Sequence, residues 1–143
     1  MKRLKTASLM TVLVLTLAGA FLLAGCAGTG KGAPEMTNCD AKITWEVVKE
    51  AKITQFDCAV GQEGGQAALI FTVGLENTTA TPLRYRLNIF LEDMDKAFGA
   101  LVPRKGKPPV IEPGKSETVK LPFLGTDKES KKILVVVKII SSE

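Results

Sequence analysis

Between Leu83 and Leu91 the chain alternates without a break. Leu83, Tyr85, Leu87, Ile89 and Leu91 are separated by Arg84, Arg86, Asn88 and Phe90. A period of two puts one set of side chains on each face of an extended strand, so this stretch reads as a half-buried β-strand. The same grammar recurs. Ile43, Trp45 and Val47 alternate with Thr44 and Glu46, and Ile53 to Val60 is rich in strand formers. Ala67, Leu69, Phe71, Val73 and Leu75 form a further alternating run, as do Val119, Leu121 and Phe123. Pro122 lies inside that last run and places it at a sheet edge, because proline cannot donate to a ladder. Phe98 to Val102 is a short strand. Ile133 to Ile140 is apolar on both faces as far as Lys138, which suits a central strand.

Turn signals separate these runs. They fall at Gly61 to Gly65, at 77–82, at 93–96, and over 103–109. Glu112-Pro113-Gly114-Lys115 carries Pro and Gly in the order of a type II turn. The tetrapeptide Ala-Lys-Ile-Thr occurs at Ala41 and again at Ala51, which chance or a minor duplication explains. Seven or eight strands spaced by about 10 residues, with no helical period, predict an all-β fold, a single antiparallel β-sandwich.

The amino-terminal part has a different character. Lys2, Arg3 and Lys5 precede a 15-residue uncharged run from Leu9 to Leu23. A spanning helix needs about 20 residues, so this length fits a cleaved signal. The run ends in Leu23-Ala24-Gly25-Cys26, which resembles the lipobox of bacterial lipoproteins. That resemblance implies a diacylglyceryl group on the Cys26 sulfur, cleavage before Cys26 and acylation of the new amine. Two or more acyl chains make a stable anchor. Ala27, where Asp is the usual inner-membrane retention signal, implies the outer membrane of a two-membrane cell, with the domain facing the periplasm. The expected organisation is a signal over 1–25, a lipidated cysteine and flexible tether over 26–38, and a domain over 39–143. The Gly-rich tether spans roughly 20 Å on average, so the domain stays close to the membrane.

Processing changes the charge. Lys and Arg total 19 against 15 Asp and Glu, for a formal charge of +4. Three of those cations lie in the signal, which has no acid, so the segment after it stands at +1. A nucleic-acid partner has no support in that balance. With Cys26 lipidated, Cys39 and Cys58 remain, and in an oxidising compartment such a pair makes one disulfide. It closes a loop of 18 intervening residues, a stabilisation of about 3 kcal/mol. The alternative, two thiolates on a soft metal, lacks a third ligand. The chain has no histidine, which removes Ser-His-Asp and Cys-His catalysis and every His-bearing metal site. Ser116 and Thr118 have no base near them in sequence, and no cofactor motif is present.

The order of strand and turn features resembles bacterial immunoglobulin-like periplasmic lipoprotein domains of the FxLYD and YcfL types. Phe71 to Asn77 is similar to their V-x-V-x-N strand, and Tyr85 to Asp95 to the strand that follows it. Ile111 to Ser116 is similar to their Pro-Gly turn, while Lys96-Ala97 departs from their common Gly-Lys. The resemblance covers roughly 66–140 and implies an immunoglobulin-like sandwich without an assigned chemistry.

Some side chains are candidates for binding. Arg104, Lys105 and Lys107 occupy a Pro- and Gly-flanked loop suited to anionic headgroups or an acidic partner. Arg84 and Arg86 share one face of the clean strand, a surface for a partner or plain solvent. Glu92, Asp93 and Asp95 lack the oxygens and glycine bend of a calcium loop and read as solvated acids. The expected function is therefore a non-enzymatic, membrane-anchored envelope lipoprotein that binds or scaffolds another envelope component, with an envelope protein as the expected partner. The alternative is a small-ligand or glycan module using a groove beside Trp45 or between the sheets.

Overall fold

A computed structural model describes residues 32–34 and 37–140. The signal, Cys26 and most of the expected tether lie outside the described residues. Seven strands follow in order: β1 (Lys42–Val47), β2 (Ala51–Glu63), β3 (Gln66–Asn77), β4 (Arg84–Leu91), β5 (Lys96–Val102), β6 (Ser116–Leu124) and β7 (Lys132–Ile140). They form a four-stranded sheet in the order β1-β7-β4-β5 and a three-stranded sheet in the order β2-β3-β6. The two sheets pack face to face as an all-β sandwich.

The alternation in β4 is realised directly. Tyr85, Leu87, Ile89 and Leu91 are fully buried, and Arg86 and Phe90 are exposed. The inward faces of β3, β6 and β7 supply Phe71, Val73, Leu75, Leu121, Ile133 and Val135. A file of aromatic rings crosses this core. Trp45, Phe56, Phe71, Phe123 and Phe98 follow one another at centroid separations of 4.9, 5.4, 5.5 and 5.9 Å. Edge-on and tilted pairs of this kind add about 1 kcal/mol each beyond their burial.

Three sequence expectations need correction. The sandwich is not wholly antiparallel, because β1 pairs with β7 in parallel, Lys42 beside Lys132 through Val47 beside Val137. The turn at 48–50 hands β2 to the other sheet, so the strand left beside β1 is the last one, and it runs the same way. The turn expected from Gly61 to Gly65 is only two residues long. Strand β2 continues to Glu63 opposite Gln66, with Gly64 and Gly65 at φ +59° and +81°. Both central residues of a type I′ hairpin need that left-handed region. Gly61 stays in the strand, with the Ile70 side chain over it. Strand β5 also starts two residues earlier than expected, at Lys96.

Strand β7 lies between β1 and β4, as its two-faced apolar run predicts. Strand β6 is an edge, as Pro122 predicts. Two of its carbonyls have side-chain partners from β5 and from the loop that follows it. Arg104 Nη2 donates to the Lys120 carbonyl at 2.8 Å, and Lys96 Nζ donates to the Leu124 carbonyl at 3.3 Å.

The strand directions define two ends. Odd-numbered strands run toward an upper end, which holds the turns at 48–50 and 78–83, the loop over 103–115, and Ile140. The lower end holds the Gly64-Gly65 hairpin, the turn at 92–95 and the loop over 125–131.

Cys39 and Cys58 are joined as a disulfide, with Cα atoms 5.4 Å apart. The bond ties the segment before β1 to β2, and that attachment begins well upstream. Along the free edge of β2, Ile53 N–H donates to the Gly32 carbonyl at 3.0 Å. Thr37 Oγ1 donates to the Phe56 carbonyl at 2.6 Å, and Cys58 N–H donates to Asn38 Oδ1 at 2.8 Å. The sandwich division and this disulfide both fit an immunoglobulin-like plan.

Candidate binding surface

The outer face of the four-stranded sheet is built from alternate residues of four strands. Register places Ala97, Phe90, Leu134 and Thr44 in one row across it. The next row toward the upper end is Gly99, Asn88, Val136 and Glu46, followed by Leu101, Arg86 and Lys138. Because β7 is apolar at every position from Ile133 to Val137, its outer side adds Leu134 and Val136 to a face that is otherwise polar. Val136 is 8% exposed, Leu134 is half-buried, and the neighbouring Phe90 is 37% exposed. The result is a short apolar stripe in the middle of a solvent-facing sheet. Sheets with one solvated face ordinarily alternate cleanly, and a strand apolar on both faces is ordinarily covered on both.

Cations border the stripe toward the upper end. Arg86 and Lys138 are direct cross-strand neighbours, and Arg84 is the next outward residue of β4. Like charges opposed across a ladder are destabilising by up to about 1 kcal/mol. Among the described residues no carboxylate forms an ion pair with Arg84, Arg86 or Lys138. At the other border Lys132 Nζ lies 3.1 Å from Glu92, with Lys42 beside Lys132 on β1. Between β4 and β5 the face is notched. A side chain at Gly99 would run into the Asn88 amide, and the open notch of about 170 Å³ is lined by Arg86, Asn88, Gly99, Ala100 and Leu101.

The basic loop residues gather near the same end. Val102 pairs with Tyr85, so Arg104, Lys105 and Lys107 emerge beside the start of β4. Arg104 is engaged with the β6 edge, whereas Lys105 and Lys107 are exposed and form no ion pair among the described residues. Cys39 and Cys58 lie on the opposite side, at β2.

Asp93 and three other titratable side chains have structural partners. Asp93 accepts from the Ser130 hydroxyl and from Lys131 N–H, and these bonds hold its carboxyl below the usual value of 3.8. It therefore fastens the turn at 92–95 to the loop over 125–131. Asp40 is also held below its usual value by its bond to Lys131 Nζ, at 2.7 Å, which in turn raises Lys131. Tyr85 donates to the Glu50 carbonyl at 2.8 Å, and burial pushes its phenol up to about 12. Trp45 meets Phe56 edge-on, so its ring is engaged with the core. The groove beside it, lined by Trp45 to Val48 and Val136 to Lys138, is open to solvent.

Sequence reasoning singled out Arg84 and Arg86 but missed Phe90, Leu134, Val136 and Lys138 as their neighbours. The signal was present in β7, whose apolar parity is doubled, but only strand order reveals that β7 lies next to β4. In comparison with known proteins, the chain matches no protein-family model, no curated protein and no solved structure.

Proposed function

We propose that this chain is a non-enzymatic envelope lipoprotein, anchored through acylated Cys26, that binds another envelope protein through the outer face of its four-stranded sheet. In a two-membrane cell the position of Ala27 directs it to the outer membrane, facing the periplasm. Kinship with the FxLYD- and YcfL-type domains is part of the same reading. The observation that carries it is the stripe of Phe90, Leu134 and Val136 beside Arg86 and Lys138. An apolar centre with a cationic border matches a partner surface of opposite sign, and an aromatic at the centre is the usual energetic anchor of such contacts. The shifted titrations of Asp40, Tyr85, Asp93 and Lys131 each have a structural cause.

The test is a photo-crosslinking amino acid at Thr44 on this face and at Thr72 on the outer face of the other sheet, in living cells. One discrete adduct is expected from position 44 alone. Phe90→Asp should abolish it, because losing a central aromatic weakens binding by about 2 kcal/mol or more, at least 30-fold. Equal crosslinking from both faces, or an adduct indifferent to Phe90→Asp, rejects this surface. Palmitate incorporation that survives Cys26→Ser rejects the anchor.

A further inference from the structure

We propose that the upper end of the sandwich docks on an anionic lipid surface, with Lys105 and Lys107 against the headgroups. This rests on the anchoring of Cys26 proposed above, and two independent features of the fold lead to it.

The first is where the chain leaves the domain. The Gly32 carbonyl is bonded to Ile53 near the start of β2, at the upper end, and a side chain at Gly32 would strike Val47. Only five residues lie between Cys26 and Gly32, a span of at most about 20 Å even when fully extended. From Ile53 to Glu63, β2 runs toward the lower end for about 33 Å. A bilayer-held cysteine therefore cannot support the domain upside down, with its hairpin end on the membrane and Gly32 away from it. Upright and side-on arrangements remain open to it.

The second feature is charge, which favours the upright one. Lys105, Lys107 and Lys115 project from the loop over 103–115, and Arg84, Arg86 and Lys138 lie at the adjoining strand ends. Among the described residues Glu50, Glu76, Glu112 and Glu117 are the carboxylates at that end, and Glu50 is already beside Lys49 at 3.8 Å. Cations outnumber carboxylates there. At the lower end the order reverses. Among the described residues seven carboxylates, Asp40, Glu63, Glu92, Asp93, Asp95, Asp127 and Glu129, stand there against five cations, Lys42, Lys96, Lys128, Lys131 and Lys132, and Lys131 and Lys132 are paired with Asp40 and Glu92. Each basic group near an anionic bilayer favours docking by about fivefold. The leash brings the cationic end within reach of such a surface, and the field orients it. The outer face carrying Phe90 then stands perpendicular to the membrane, open to a neighbour in the same plane.

The test uses the full, processed protein in vesicles of phosphatidylethanolamine, with or without phosphatidylglycerol. A fluorophore is placed through Ala80→Cys at the upper end or Lys128→Cys at the lower end, and a headgroup-attached quencher reads proximity. The label at position 80 should be quenched severalfold more than that at 128, only with phosphatidylglycerol present, and less at high salt. Lys105→Glu with Lys107→Glu should lower the ratio of docked to undocked protein by about 25-fold or more. These exposed loop lysines are not in the core, so the variant keeps its fold. Protein that floats with vesicles after a high-salt wash but shows equal quenching at both labels, or greater quenching at 128, overturns docking and leaves the anchor standing. Quenching at 80 unchanged by the double substitution also overturns it. Protein that does not float at all overturns both anchor and docking.

Discussion

Asn77 holds the upper end together. It is fully buried at the end of β3, and its Nδ2 donates to the carbonyls of Thr81 at 2.7 Å and Ile111 at 2.8 Å. Its Oδ1 accepts from Thr79 N–H at 2.9 Å. Its backbone carbonyl accepts from Gly114 N–H, also at 2.9 Å. One side chain thereby fixes both the turn after β3 and the long loop that carries Lys105 and Lys107. Asn77→Ala removes both donors to the Thr81 and Ile111 carbonyls and the acceptor of the Thr79 N–H and hydroxyl. The Ile111 carbonyl keeps only Leu83 N–H, and each loss destabilises by about 1 kcal/mol. We expect a total near 3 kcal/mol, read as a lower urea midpoint with unchanged slope. Thr78→Ala, whose exposed hydroxyl bond is 3.4 Å long, should change stability by less than about 0.5 kcal/mol. A similar loss from both substitutions would reject the role assigned to Asn77. In the sequence this residue reads only as the start of a polar turn. Asparagine favours turns for local reasons, and nothing in its neighbours in sequence announces bonds to Ile111, 34 positions away.

At the scale of elements, what was legible follows from how each signal is generated. The alternation of β4 reports two different environments, one on each side, and so the strand, its core face and its solvent face could all be read. The edge position of β6 was legible because proline lacks a donor. Pairing partners were not, because alternation says which face is covered and is silent about which strand lies alongside; hence the parallel β1–β7 pair went unforeseen. The candidate face was half legible for the same reason. The proline also makes a prediction. Lys120 and Leu124 give their carbonyls to Arg104 and Lys96 rather than to β3, so this parity of β6 points its backbone outward. Pro122 shares that parity, and its missing N–H costs no ladder bond. Pro122→Val should fold with stability within about 1 kcal/mol of the parent. It should also restore an outward donor on an exposed edge, inviting edge-to-edge pairing. Concentration-dependent dimerisation in sedimentation is the expected readout. A variant that stays as monodisperse as the parent at every concentration would show that Arg104 and Lys96 alone suffice to guard the edge.

For the whole molecule, the disulfide bears on how much chain the proposed anchor at Cys26 would leave free before the domain. Gly32 and residues 37–39 are attached to β2 by hydrogen bonds of the Gly32 carbonyl and of the Thr37 and Asn38 side chains, and by one covalent bond. With a sequence separation of 19, reduction should remove about 3 kcal/mol of global stability. The loss should not be uniform. The acceptors for Ile53 N–H and Cys58 N–H lie upstream of Cys39, whereas Ile89 and Val135 are paired in the middle of the other sheet. We therefore expect amide exchange in reduced protein to quicken first at Ile53 and Cys58, by local release, while Ile89 and Val135 keep their protection. Exchange that accelerates equally at all four would mean that the segment and sandwich open only as one unit. If release is local, the free chain lengthens from the six residues before Gly32 to the sixteen before β1 at Lys42, a reach of about 50 Å in place of about 20 Å. That exceeds the roughly 33 Å from Ile53 to Glu63. The inverted arrangement, forbidden while the bond is intact, then becomes sterically accessible. In the quenching experiment, reduction should narrow the difference between labels at 80 and 128 even with both lysines in place. A difference that is unchanged on reduction would mean that orientation is held by charge alone and owes nothing to the length of the leash.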